Sequence, residues 1–418
     1  MKTSLRNKFL LKNCCVSITD GDHLPPPKAS TGVPFITISN IINNQISFAD
    51  TMYVDRDYYE KLDASRKAMH GDILYSVVGS FGIPVYIDKD DEFVFQRHIA
   101  ILRPDSSIVD NRYLYYTLLN PGFYKIANRI AIGCAQRTVT LDLLRNIEIV
   151  IPEVSEQEQI ARVISNIDRK ISLNDAINSE LESAARTLYD YWFTQFDFPD
   201  ANGKPYKSSG GAMVWSEELK REIPQGWEMA HLSNELTFKR GVEPGSDSYS
   251  DEFSDTHTVP FIRVRDLGDK STVYIQPEIA NGCLCEPNDV LVAFDGSVGK
   301  MSIGMHGCCS SGIRNIKPRN DKFSQAFIYL YFSSQEAQGT IAKYAVGSNI
   351  LHAASCIEHF LFAYEEKTVN EFIHRIEPMY RQMVANLQQN EELTELRDFL
   401  LPLLMNGQVR VANGRSVG

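Results

Sequence analysis

The chain has 418 residues, 43% of them apolar, and a formal net charge of −11. That length exceeds what one core usually spans, and the composition is that of an ordinary globular protein, so two or three domains are expected. No apolar run reaches the roughly 20 residues of a membrane-spanning helix. Phe9-Leu10-Leu11 is too short for a signal-peptide core, and eight cysteines that include two adjacent pairs read as reduced thiols, so a cytoplasmic protein is expected.

In chain order, the first 152 residues carry short strand-like runs, at 72–78, 84–87, 93–95 and 147–151, with a helical stretch near 112–119. Strands and helices do not alternate strictly, which favours an irregular α+β module over a doubly wound sheet. From Ser155, read as an N-cap, apolar residues recur at Ile160, Val163, Ile164, Ile167, Ile171, Leu181, Ala185, Leu188 and Trp192. This spacing predicts one long helix over 156–193. Asn174 and Asn178 fall on its apolar seam, either as a register device or as solvated residues on a curved helix. Residues 197–211, with Asn202-Gly203 and Gly210-Gly211, read as a turn-rich connector. A second helical segment carries Phe372, Ile376, Met379, Met383, Leu387, Leu393, Leu396, Leu400 and Leu403, and Pro378 is expected to kink or restart it. Neither stripe is stable bare in water, so the two helices are expected to pack as an antiparallel pair.

The second module repeats the first. Asp72-Ile73-Leu74 followed by Gly79-Ser80-Phe81-Gly82 recurs as Asp289-Val290-Leu291 followed by Gly296-Ser297-Val298-Gly299. Val33-Pro34-Phe35-Ile36 recurs as Val259-Pro260-Phe261-Ile262, and Ala131-Ile132-Gly133 answers Ala345-Val346-Gly347. From Asp72 onward the offset drifts only from 217 (72 to 289) to 214 (133 to 347). A period of that size means two related domains, each followed by a long helix.

The stretches Ile151-Pro152 to Glu156-Gln157-Glu158-Gln159-Ile160, Leu188-Tyr189-Asp190-Tyr191-Trp192-Phe193 to Phe198-Pro199, Gly203-Lys204-Pro205-Tyr206, and Ile223-Pro224-Gln225-Gly226-Trp227 resemble the central region of the DNA-specificity subunits of type I restriction-modification systems. Leu396-Arg397-Asp398-Phe399-Leu400-Leu401-Pro402 resembles the distal helix end of that family. The second half lacks a proline to match Pro152, since Phe362-Ala363-Tyr364 stands there.

The resemblance implies a pseudo-two-fold repeat. Its parts are a first target-recognition domain (1–152), a first spacer helix (153–196), a connector (197–222), a second recognition domain (223–366), a second spacer helix (367–409) and a tail (410–418). It also implies double-stranded DNA, two methyltransferase subunits and restriction subunits as partners, a bipartite asymmetric target, and S-adenosylmethionine and ATP bound only in those partners. A decoy that binds the methyltransferase without reading DNA is the alternative reading.

The residues themselves offer no catalyst. Gly296-Ser297-Val298-Gly299-Lys300 resembles part of a phosphate-binding loop, but Phe294 stands where its first glycine belongs and Met301 follows the lysine. Cys283, Cys285, Cys308 and Cys309 lack the usual zinc-ligand spacing. Charge is uneven: +1 over 1–150, −6 over 151–200, +1 over 201–222, −5 over 223–364 and −2 over 365–418. The acidic second module argues against tight DNA binding by the chain alone. Side chains suited to base edges or phosphates are Ser80, Arg97, His98, Gln136 and Arg137 in the first module. In the second they are Arg263, Arg265, Ser297, Lys300, Arg314, Asn315, Ser348 and Asn349. A plain structural turn is the competing account of the two serines.

Overall fold

A computed structural model describes residues 6–21, 26–134, 136–280 and 282–411; most of the expected tail lies outside them. The chain forms two compact units, residues 1–170 with 393–418, and residues 171–392.

In the first unit an antiparallel sheet has the order Cys15–Asp20, Ile99–Pro104, Ile73–Ser76, Pro84–Tyr86. Val33–Ile36 pairs antiparallel with Met52–Val54 and parallel with Val94–Phe95. Asn7–Leu10 pairs with Glu148–Ile151. Two short helices, Asn111–Leu119 and Pro121–Ile130, cover the sheet. Their starts are set by sequence: Asp110 accepts from the Tyr113 N–H, and Asn120 accepts from Gly122 ahead of a proline in the first turn. Ile73, Tyr75, Leu102, Tyr113 and Tyr116 are buried in one core with Ile160, Ile164, Leu401 and Leu404 of the long helices.

The second unit repeats the plan. Its sheet runs Leu236–Arg240, Ile313–Pro318, Val290–Ala293, Met301–Ser302, and Val259–Ile262 pairs antiparallel with Tyr274–Ile275 and parallel with Gly307–Cys309. Glu228–His231 pairs with Leu361–Tyr364, and Gln325–Ser333 and Gln335–Tyr344 are the covering helices. Even the register is copied, since Ile101 faces Leu74 in one sheet and Asn315 faces Leu291 in the other. The architecture is α+β, with an internal repeat.

The repeated aspartate is structural. Asp72 accepts from the Met69 N–H and from Arg103 Nε and Nη2 at 3.0, 3.0 and 2.8 Å. Asp289 accepts from the Glu286 N–H at 2.9 Å and from Lys317 Nζ and Asn315 Nδ2, both at 2.8 Å. Each carboxylate thus ties the loop before its strand to the neighbouring strand.

The long helices run over Val154–Tyr189 and Glu366–Met405. Pro378 does not interrupt the second. It is exposed, so the N–H it lacks is missing on the wet side, while Phe372, Ile376, Tyr380 and Met383 are buried and hold the backbone helical. The first helix starts a residue before the expected cap, with the Glu153 carbonyl accepting from Glu156 and Gln157. It ends in a π-turn, Asp190–Thr194, which turns Trp192 and Phe193 into the core beside Phe372.

Within the first unit the helices meet antiparallel, with Arg397 Nη1 donating to Asp168 Oδ1 at 3.1 Å. Here the expected stripe has drifted. Leu396 is exposed and Leu400 half-buried, whereas Leu401 and Leu404 are buried. A straight helix of 3.6 residues per turn rotates a fixed heptad pattern away from its partner. In the second unit Ile376 and Met383 are buried, and Leu181, Leu188 and Leu387 pack at the edge. Ile171 and Leu393 are half-buried, and Ile167 lies buried in the first unit.

The asparagines of the seam bond across the helix pair. Asn174 Nδ2 donates to Gln389 Oε1 and Asn390 Oδ1 at 2.9 and 2.8 Å, and Asn178 exchanges bonds with the Met383 carbonyl and Asn386 Nδ2 at 3.2 and 2.8 Å. Asn174 is buried and Asn178 half-buried, both bonded to the partner helix, so neither is a freely solvated residue. The connector also contains regular structure, a hairpin pairing Met213–Ser216 with Arg221–Pro224.

Candidate nucleic-acid interface

The Gly-Ser-x-Gly turn follows the central strand of each sheet, and both of its glycines have positive φ in both copies: +71° and +92° at Gly79 and Gly82, +74° and +83° at Gly296 and Gly299. The turn is locked to a second loop by the same bond in each unit. Gly79 N–H donates to the Arg137 carbonyl at 3.0 Å, and Gly296 N–H to the Leu351 carbonyl at 2.8 Å. Two more bonds are duplicated, Val77 to His98 with Phe294 to Gly312, and Val139 to Val77 with Ala353 to Phe294. Each unit therefore holds three segments in one frame: the turn, a loop at 96–98 or 310–312, and a loop at 131–138 or 345–352.

That frame makes the two sets of side chains directly comparable. Ser80 and Ser297 are exposed at matching positions. Gln136 and Arg137 of the first unit correspond to Ile350 and Leu351 of the second, and Gln96-Arg97-His98 to Ser310-Ser311-Gly312. Arg97 and Gln136 are exposed. Arg137 spends one amino group on the Asn128 and Ala131 carbonyls at the end of a helix. His98 is held below its ordinary value of 6.5, by burial first and by the adjacent Arg97 second.

In the second unit Lys300 and Arg265 are exposed and joined, Lys300 Nζ donating to the Arg265 carbonyl at 3.2 Å. Arg263 is tied to Asp266 and Thr272 at 2.7 Å each. Ser348 and Asn349 are exposed in the loop after Gly347. Two expected contacts are spent on the fold instead. Arg314 is buried over the Phe294 ring and donates to the Ser311 and Ile313 carbonyls, and Asn315 is buried against Asp289. Their position inside a central strand, paired on both sides, removes them from the surface.

Sequence reading missed Arg240, which is exposed at a strand end with Nε 3.2 Å from the Ser311 carbonyl, next to the frame. It also missed Gly21 and Gly241. A Cβ on either would overlap carbonyl oxygens, of Phe95 and Gln96 in one case and of Cys309 and Ser310 in the other. The signal was a glycine closing the first sheet strand of each copy, but the offset of 220 (21 to 241) broke the run of shared spacings.

Among the described residues no group of three or more His, Cys, Asp or Glu is placed to hold a metal ion. Cys285, Cys308 and Cys309 are buried, and desolvation pushes the Cys308 thiol up to about 12. The Gly296–Lys300 segment is a tight turn, and Phe294 is fully buried beside it.

The family described as type I restriction modification DNA specificity domain matches residues 21–183 and again 224–355, one match per module. The chain belongs to that family. The HindI specificity subunit of Haemophilus influenzae is 23% identical over 448 residues, covering 91% of this chain and 95% of its own. The MjaIX specificity subunit of Methanocaldococcus jannaschii is 25% identical over 327 residues, covering 74% and 71%. The crystal structure of a type I S subunit from M. genitalium shares the fold, with a TM-score of 0.55, 16% identity and 97% of both chains covered. A specificity subunit is a non-catalytic component, which agrees with the incomplete catalytic motifs. No helix among the described residues is long and apolar enough to cross a membrane.

Proposed function

We propose that this specificity subunit reads a bipartite, asymmetric DNA target, each module contacting one half through its three-segment frame. Two adenine methyltransferase subunits and the restriction subunits would be carried on the same chain. The observation that carries this reading is the duplicated hydrogen-bond frame bearing different exposed side chains. Identical scaffolds with divergent tips are what two readers of different sequences require. Phosphate contacts anchor the protein and base contacts specify it, so Lys300, Arg265 and Arg240 suit the first role and Gln136 and Asn349 the second. S-adenosylmethionine and ATP belong, on this reading, to the partner subunits.

The test is methylation. The chain is purified with its methyltransferase, and methylated adenines are mapped by sequencing. Replacing residues 223–364 with the corresponding module of another specificity subunit should change one half of the methylated site and leave the other intact. A change in both halves overturns the two-reader reading, and an intact complex that methylates no DNA leaves the decoy reading in its place.

A further inference from the structure

The loops at 131–138 and 345–352 have the same length and are anchored by the same bonds, so their exposed side chains occupy equivalent places. Both carry an exposed aliphatic at the first position, Ile132 at 55% and Val346 at 65%. They part near the end of the loop, where Gln136 and Arg137 give way to Ile350 at 57% and Leu351 at 40%. The second loop thus shows three exposed aliphatic side chains. Gly347 has φ +137°, and a Cβ there would overlap the Ile350 carbonyl, so this turn requires glycine. A contiguous cluster of exposed apolar side chains is a feature of binding surfaces. The exposed cations Lys300 and Arg265 lie on or beside the adjoining turn, and the exposed Asn349 lies within the loop.

We propose that the second module reads its half-site through thymine methyl groups packed against Ile350 and Leu351, with Val346 completing the apolar surface. The first module, which keeps only Ile132 of this surface, reads polar base edges with Arg97 and Gln136. The proposal rests on the DNA-reading role argued above. The occupant follows from groove chemistry. The thymine C5-methyl is the one apolar group among the base-edge features of the major groove, and the adenine paired with it offers the donor-acceptor edge that an asparagine such as Asn349 matches. Neighbouring cations suit the flanking phosphates and not an apolar protein partner. The second half-site is therefore richer in A·T pairs than the first.

The experiment uses the complex with its methyltransferase and the target mapped by sequencing. Each thymine is replaced singly by deoxyuridine, which deletes only the methyl group. In the second half-site each contacted methyl should be worth about a fourfold loss of binding, as expected for one methyl group withdrawn from water; in the first half-site binding should not change. The Ile350→Ala, Leu351→Ala double variant should bind unmodified DNA more weakly and lose the deoxyuridine penalty, with its melting temperature and its selectivity in the first half unchanged. Absence of any penalty in the second half-site, or a penalty that survives in the double variant, overturns the proposal. So does loss of methyltransferase from the double variant without DNA, which would make the patch a protein-docking surface. Failure of the parent complex to methylate any DNA counts instead against the DNA-reading role itself.

Discussion

At the scale of single residues, the repeated aspartates and the glycines hold the frame. The Asp72 side chain is 2% exposed and bridges to Arg103. Removing the carboxylate strips the partly exposed Arg103 and the Met69 N–H of their acceptor, a loss of about 1–3 kcal/mol. Asp72→Ala should lower the unfolding free energy by that amount in urea titration, and Asp72→Asn, which keeps part of the hydrogen bonding, by less. Gly241→Ala forces a Cβ into two carbonyl oxygens and should cost at least about 2 kcal/mol, whereas the same change at Gly210, with nothing within 4 Å but φ +88°, carries only the backbone penalty. His98 gives a pH signature. Its pKa in the fold lies below its unfolded value, so it adds no penalty while neutral in both states and destabilises increasingly as pH falls below about 6.5. His98→Gln should therefore lose less melting temperature than the parent between pH 7 and 5.

At the scale of elements, the helix pair combines apolar contacts with a polar core. Asn174 Oδ1 has no hydrogen-bond partner, so the seam is not optimised for stability. A buried asparagine there selects register at some cost in stability. Asn174→Leu is expected to raise the melting temperature while producing self-associated or misaligned species in light scattering; a monodisperse variant of lower melting temperature would contradict the register role. Pro378 is the opposite case, a local preference overridden by tertiary packing. Pro378→Ala restores a backbone donor on a helix already formed, and urea titration should show a gain of roughly 1–3 kcal/mol. The π-turn at Asp190–Thr194 has no sequence signature of its own. It follows from the need to bury Tyr189, Trp192 and Phe193 around Phe372.

At the scale of the whole molecule, the net charge of −11 sets an expectation for binding. DNA affinity that rests on a few cations per module should be low for the isolated chain and should acquire a steeper salt dependence when methyltransferase subunits add phosphate contacts. Fluorescence anisotropy against salt concentration, with and without the partner, measures both slopes; equal slopes would place all phosphate contacts on this chain.

What the sequence determined by itself was the duplication, the α+β class, the two long helices and the family. The duplication, the class and the helices rest on spacing and periodicity, which survive in one dimension, and the family on the resemblance of short motifs such as Ile223-Pro224-Gln225-Gly226-Trp227. The aspartate and the Gly-Ser-x-Gly turn were visible as repeated letters, but their roles were not. A carboxylate that pairs with Arg103 and one that pairs with Lys317 look alike until the strands are in register. Tertiary structure alone decided which polar side chains are available, because strand pairing buries Arg314 and Asn315 while leaving Lys300, Arg265 and Arg240 outside. It also decided that the divergent ends of two loops, Gln136-Arg137 and Ile350-Leu351, occupy one frame, since that equivalence is carried by backbone hydrogen bonds, which are common to every residue type.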